Sequence, residues 1–175
     1  MACEMACEMA RDWARRVMDV RIETLPAVPV LCCRRVGPYQ DTAQEAWQSL
    51  WGWVRAHGVV DRVQGAYGYG LDDPRTTAPG KQRYDACLAI AGDVAPEDAA
   101  GIVARTLPGG CYAIHRHKGP YHQMGAVFGH LRDQWLPTSG QTLEANRPFL
   151  EIYLNDPSEV PESDYLTDLC LPIRA

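Results

Sequence analysis

The sequence predicts an α+β protein assembled from one strand–helix–strand–strand unit used twice. Two observations carry that prediction. The first is an ordered duplication. Thr24-Leu25-Pro26 returns as Thr106-Leu107-Pro108, Gly37-Pro38-Tyr39 as Gly119-Pro120-Tyr121, and Trp53 and Gly58 as Trp135 and Gly140, all 82 residues on. Asp73-Pro74, Asp85, Cys87-Leu88 and Ile90 return as Asp156-Pro157, Asp168, Cys170-Leu171 and Ile173, 83 residues on. One long period in two copies marks a duplicated module, because a solenoid stacks at least three short units. The second observation is that valine-rich extended runs alternate with a helical stripe in each copy. Two related halves meet at a seam across a pseudo-dyad, and such seams are favoured places for small-molecule sites.

Along the first copy, Val20 to Leu25 and Val30 to Val36 read as extended, broken by Pro26 and Pro29, and Gly37-Pro38 turns the chain. Thr42 with Glu45 reads as a capping box, and Ala46, Trp47, Leu50, Trp51 and Val54 recur at helical spacing before Gly58. A strand from Ala66 to Leu71 leads to the Asp72-Asp73-Pro74 turn, and Tyr84 to Ala91 closes the copy as a strand. Between copies, Ala95 to Ala104 reads as a short helical lead-in beginning near Pro96. In the second copy Cys111 to Lys118 is extended. Met124, Val127, Phe128, Leu131 and Trp135 form a helical stripe stopped by Pro137. Phe149 to Leu154 and Leu166 to Ile173 are strands on either side of the Asn155-Asp156-Pro157 turn.

At 175 residues the chain reads as a single domain, with module one at 19–94 and module two at 95–175. Residues 1–18 form an extension outside the duplication, partly helical or disordered, in which Met-Ala-Cys-Glu occurs twice in tandem. A net charge of -5 argues against direct nucleic-acid binding, which wants a basic face. Seven cysteines without a Cys-x-x-Cys read as buried small hydrophobes in a reducing cytoplasm, and nothing resembles a signal peptide or a membrane span.

The segments Gly37-Pro38-Tyr39, Lys81 to Ala86, Lys118 to Tyr121 and Phe149-Leu150-Glu151-Ile152-Tyr153-Leu154-Asn155-Asp156-Pro157 resemble the GyrI-like small-molecule-binding family. This is also the effector-binding domain of AraC-type and MerR-type regulators. The resemblance covers nearly all of residues 20–173. It implies two pseudo-symmetric βαββ modules forming antiparallel sheets with a helix each and a ligand groove at their interface. It also implies a lipophilic, often cationic, ligand and an acidic contact from a glutamate in the penultimate strand.

Glu151 is the residue that fits that glutamate. Side chains alternate along a strand. Leu150, Ile152 and Leu154 should therefore pack on the helices, and Phe149, Glu151 and Tyr153 should share the opposite face. A carboxylate between two aromatics is costly to desolvate without a partner, which a ligand cation would supply with cation–π help. The alternative is a surface or salt-bridged glutamate. At the 83-residue offset these three positions correspond to Ala66, Gly68 and Gly70, a face stripped of bulk that reads as a hollow or as a bulge. In this register Tyr67 and Tyr69 face the helices, although a bulge would turn them into the hollow, which makes Tyr69 a candidate contact. Tyr112 and Trp135 are further candidates for the walls. His115 and His117 share a strand face, but no third or fourth ligand at metal spacing accompanies them, so no metal or other cofactor is expected.

The expected function is therefore a stand-alone binding protein for a hydrophobic, cationic small molecule, acting in the cytoplasm. Two alternatives stay open. One is a hydrolase of reactive drug-like molecules using Glu151, whose pKa an apolar groove would raise. The other is a DNA gyrase inhibitor acting by protein–protein contact, with gyrase or a regulator as the partner.

Overall fold

The computed structural model describes residues 18–175. The extension read at 1–18 lies almost wholly outside the described residues. Eight strands form one antiparallel sheet: β1 (Val20–Leu25), β2 (Val28–Val36), β3 (Val63–Gly70), β4 (Arg83–Ile90), β5 (Ile102–Leu107), β6 (Gly110–Lys118), β7 (Phe149–Tyr153) and β8 (Leu166–Pro172). Their order across the sheet is β1-β6-β8-β7-β3-β4-β2-β5. Exchanging each strand for its copy in the other module reverses that order onto itself. The pseudo-dyad therefore passes through the central β3–β7 ladder, where Gly68 lies opposite its own copy, Glu151.

Each module's first strand sits in the other module's half of the sheet, with β1 on β6 and β5 on β2. The expected helical lead-in at 95–104 is corrected by β5. Only Asp98–Ala100 makes a 3-10 turn, and Gly101, at φ 72, redirects the chain. The β-branched Ile102 and Val103 then pair with Cys33 and Cys32.

Helix α1 (Tyr39–Ala56) begins directly after Pro38, so Thr42 is not its cap. The Thr42 hydroxyl instead donates to the Pro38 carbonyl at 3.0 Å. Pro38 explains the early start, because its fixed φ and missing N–H suit the position before the first turn. Asp41 near the start and Arg55 near the end complement the helix dipole. Thr42, Ala46, Leu50, Trp53 and Val54 are buried, the last four in one cluster with Leu31, Cys33, Tyr84, Ala86 and Leu88 of the sheet.

The second copy's helix is built in pieces: α2 (Met124–His130), a π-turn over Leu131–Trp135, and α3 (Leu136–Ser139). It does not stop at Pro137, as its composition suggests, but runs to Gly140 at φ 76. The wider turn accommodates a proline that cannot donate to the preceding turn. Leu131 is fully buried with Ala113, Leu171 and Ile173. Leu131→Ala is expected to cost about 2–5 kcal/mol, measured by urea denaturation.

Both helices pack on one face of the sheet. Among the described residues no helix covers the other face, which curls on itself. The end of β1 and the end of β5, at opposite edges, share one cluster through Leu25 and Leu107. At that end the connectors touch: a Cβ on Gly109 would lie 2.7 Å from the Ala27 nitrogen. Cys32, Cys33, Cys87 and Cys170 are buried and unbridged within these layers.

Candidate functional site

The structure reverses the expected faces of β7. Leu150 and Ile152 point away from the helices, into the cluster that holds Tyr67, Tyr69 and Tyr112. Phe149, Glu151 and Tyr153 lie on the helix-bearing face. Alternation is kept; only the assignment of the helices to a face is corrected. The reason is that both faces of this sheet are apolar, the second being buried by curling rather than by a helix.

Glu151 is half-buried beside the pseudo-dyad. Its Oε2 accepts hydrogen bonds from the Tyr153 hydroxyl at 2.6 Å and the Tyr84 hydroxyl at 3.0 Å. The two tyrosine oxygens are 3.2 Å apart. The Trp47 indole N–H donates to the Tyr84 oxygen at 3.2 Å, tying α1 to the network. Burial raises the Glu151 pKa above its ordinary value, and the two tyrosine hydrogen bonds pull it only partly back. Burial, followed by the adjacent Glu151 charge, pushes both tyrosine pKa values well up. Both hydroxyls therefore stay protonated and act as donors at neutral pH. Among the described residues no basic side chain pairs with Glu151.

Aromatic rings surround this carboxylate. Trp47 and Tyr121 both meet Tyr153 edge-on, at 5.2 and 5.3 Å between centroids, and Tyr121 stacks on Tyr165 at 4.6 Å. Phe149 packs against Phe128 of α2 at 5.3 Å. Tyr39 sits over Gly70, and its hydroxyl is held by the Asp72 backbone, donating to the carbonyl at 2.6 Å. The bare face of β3 has a steric purpose: a Cβ on Gly68 would overlap the Glu151 carboxylate and the Tyr84 hydroxyl. No bulge is needed there, and the ladder runs regularly through Gly68.

The site is asymmetric although the fold is not. Trp47 and Tyr84 of module one correspond to Gly129 and Thr167 of module two. Nothing lies within 4 Å of where a Gly129 Cβ would be. The Thr167 hydroxyl is buried without a hydrogen-bond partner among the described residues. Module one thus places aromatic bulk beside Glu151, and module two leaves its helix bare at the equivalent position.

Of the residues expected at the site, Glu151, Phe149, Tyr153, Gly68 and Gly70 come together on the helix face. Tyr112 and Tyr69 do not. Tyr112 is fully buried on the other face, donating to the Pro108 carbonyl at 3.1 Å with the Arg147 guanidinium 5.2 Å from its ring centre. Tyr69 is half-buried there too, its pKa pushed up to about 12 by burial. Trp135 packs with Leu131, Leu136 and Phe149 and reaches only the Phe149 end. Sequence reasoning missed Tyr84, Trp47 and Tyr121. Tyr84 was available from the Lys81–Ala86 segment, and from the pairing of β3 with β4 that puts it opposite Gly70. His115 and His117 are turned to backbone carbonyls, of Asp19 at 3.0 Å and Pro120 at 3.3 Å.

A two-fold duplicated sheet with both helices on one face and an aromatic-lined carboxylate near the pseudo-dyad defines a class of duplicated α+β domains. The chain belongs to the GyrI-like small molecule binding domain family, which matches it over residues 18–174. It is 32% identical to the DNA gyrase inhibitor of Edwardsiella piscicida over 90% of this chain and 99% of that one. Its fold is shared with the EcmrR C-terminal domain, at TM-score 0.70 and 16% identity, covering 90% of this chain and 98% of that one. SAV2435 bound to tetraphenylphosphonium has the same fold at TM-score 0.56 and 19% identity, covering 90% of this chain and 95% of that one. No helix among the described residues is long and apolar enough to cross a membrane.

Proposed function

We propose that the protein binds a lipophilic cation on the helix face, with Glu151 as counter-charge and Trp47, Tyr84, Tyr121, Tyr153 and Phe149 as aromatic walls. The observation that carries this reading is a half-buried carboxylate, its pKa raised by burial, with two phenol donors and no cationic partner among the described residues. Such a group is costly to keep ionised, and a bound cation relieves that cost. Ring faces and edges around it suit a delocalised cation, which sheds its hydration easily. The bare helix around Gly129 makes module two the side of entry. The tetraphenylphosphonium held by SAV2435 is a ligand of this chemistry.

Titration with tetraphenylphosphonium, followed by tryptophan fluorescence, tests the reading. Glu151→Gln is expected to weaken the phosphonium at least tenfold, about 1.4 kcal/mol, while a neutral triphenylphosphine oxide binds both forms alike. Equal phosphonium affinity in both forms would remove Glu151 as counter-ion. The raised Glu151 pKa also suits general acid–base work, so a hydrolase acting in the same cleft is the second reading. Product formation from electrophilic drug-like compounds, followed by mass spectrometry and abolished in Glu151→Gln, is the result that would favour it. The similarity to a gyrase inhibitor supports a third reading, which a supercoiling assay unaffected by saturating protein would dispose of.

A further inference from the structure

On the face of the sheet turned away from Glu151, Leu25, Pro26, Val28, Tyr67, Leu107, Pro108, Leu150 and Ile152 line a cavity of about 120 Å³. It lies at the foot of the pseudo-dyad, and the duplication accounts for its composition. Leu25-Pro26 and Leu107-Pro108 are copies of each other. Tyr67 and Leu150 are copies on the two central strands. Tyr67, Leu150 and Ile152 alternate with Gly68 and Glu151, so a single layer of backbone separates this cavity from the carboxylate.

We infer that this cavity is a second ligand site, for a compact uncharged apolar molecule of about the size of one aromatic ring. Volume sets the size: an apolar cavity of about 150 Å³ accepts benzene or xenon, and this space, close to that volume, is also partly open at its mouth. The lining sets the class. No charged side chain faces the space, so an ion would be stranded there. The lining is mostly apolar, so water held there gains few polar partners and is readily displaced. The Tyr67 hydroxyl lies over Gly65 and makes no hydrogen bond to the described residues. Peptides and sheet-sized ligands do not fit. The inference is independent of the cation reading, because none of its residues touches the Glu151 network.

Benzene titrated into protein carrying ¹³C-labelled Leu, Val and Ile methyls is the direct test. Saturable shifts are expected at Leu25, Val28, Leu107, Leu150 and Ile152, with no such response to pyridinium, a charged ring of the same size. Val28→Phe and, from the other module, Leu107→Phe should each weaken benzene at least tenfold; two sites guard against one variant failing to fold. Benzene shifts absent from these methyls, or confined to residues of the helix face, would overturn the assignment. A full benzene response in a folded, cavity-filled variant would overturn it equally.

Discussion

Asp85→Ala is expected to lower stability by about 3–5 kcal/mol, seen as a Tm lower by roughly 10 °C in thermal denaturation. Asp85 is fully buried in β4 and receives two hydrogen bonds from Arg34 of β2, at 2.6 and 2.8 Å, with Arg105 of β5 at 3.3 Å. Removing the carboxylate leaves the mostly covered Arg34 guanidinium without its partner, and that poorly compensated charge is where the cost arises. The triad also spans the exchanged strand, since β5 belongs to module two and lies in module one's half of the sheet. Its copy is Asp168 of β8, held by Arg116 of β6 at 2.8 and 3.0 Å and by Arg21 of β1. Arg116 is half-exposed, so water can take over its partner's role, and Asp168→Ala should cost less than Asp85→Ala. Burial alone would raise the Asp168 pKa, but the hydrogen bonds from Arg116 and Arg21 outweigh it and hold the pKa below the ordinary value. A depressed folded-state pKa means that the contribution of Asp168 is complete above its unfolded pKa of about 3.9 and is lost as pH falls through the folded value. Equal losses in both alanine variants would show that burial of the arginines is irrelevant.

The two triads show how far the duplication could have been carried by inspection. Thr24-Leu25-Pro26 and Thr106-Leu107-Pro108 are copies, and the first was read as the end of a strand. The same logic demanded a strand at 102–107, yet the alanine-rich run before it drew a helical reading. The exchange of β1 and β5 between modules was out of reach, because local pattern fixes which residues are extended and not which strand they join. The face of β7 failed for a related reason. Alternation put Phe149, Glu151 and Tyr153 together, which is right. But when both faces are apolar, no single strand tells which one a helix will cover. Glu151 was legible as a carboxylate set between two aromatics on one strand face. Its donors were not, since Tyr84 and Trp47 are 67 and 104 residues away in the chain and only the β3–β4 and α1 packing brings them in.

Glu151→Gln should stabilise the unliganded protein at neutral pH while costing it the cation. Burial raises the Glu151 pKa, so its ionised form is the disfavoured one in the folded state. A raised folded-state pKa means that its favourable contribution is complete below the unfolded value, about 4.3, and disappears as pH rises through the folded value. Wild type should therefore lose stability relative to Glu151→Gln as pH rises through that range, and the gap should stay constant above it. Asp168 acts in the opposite sense at lower pH and is common to both proteins, so it cancels in the difference. Binding a cation favours the ionised carboxylate, so phosphonium affinity should rise with pH until Glu151 is ionised in the free protein. Over the same range, calorimetry in buffers of different ionisation enthalpy should register proton release on binding. Gly68→Ala provides the steric counterpart. Its methyl group would collide with the carboxylate and the Tyr84 hydroxyl, and forcing them apart should cost about 1–3 kcal/mol. The same change breaks the network that holds the charge, so phosphonium binding should weaken with it. A Glu151→Gln protein no more stable than wild type at pH 7, with a stability difference flat from pH 4 upward, would mean that the carboxylate is hydrated and that the cleft holds no stored charge.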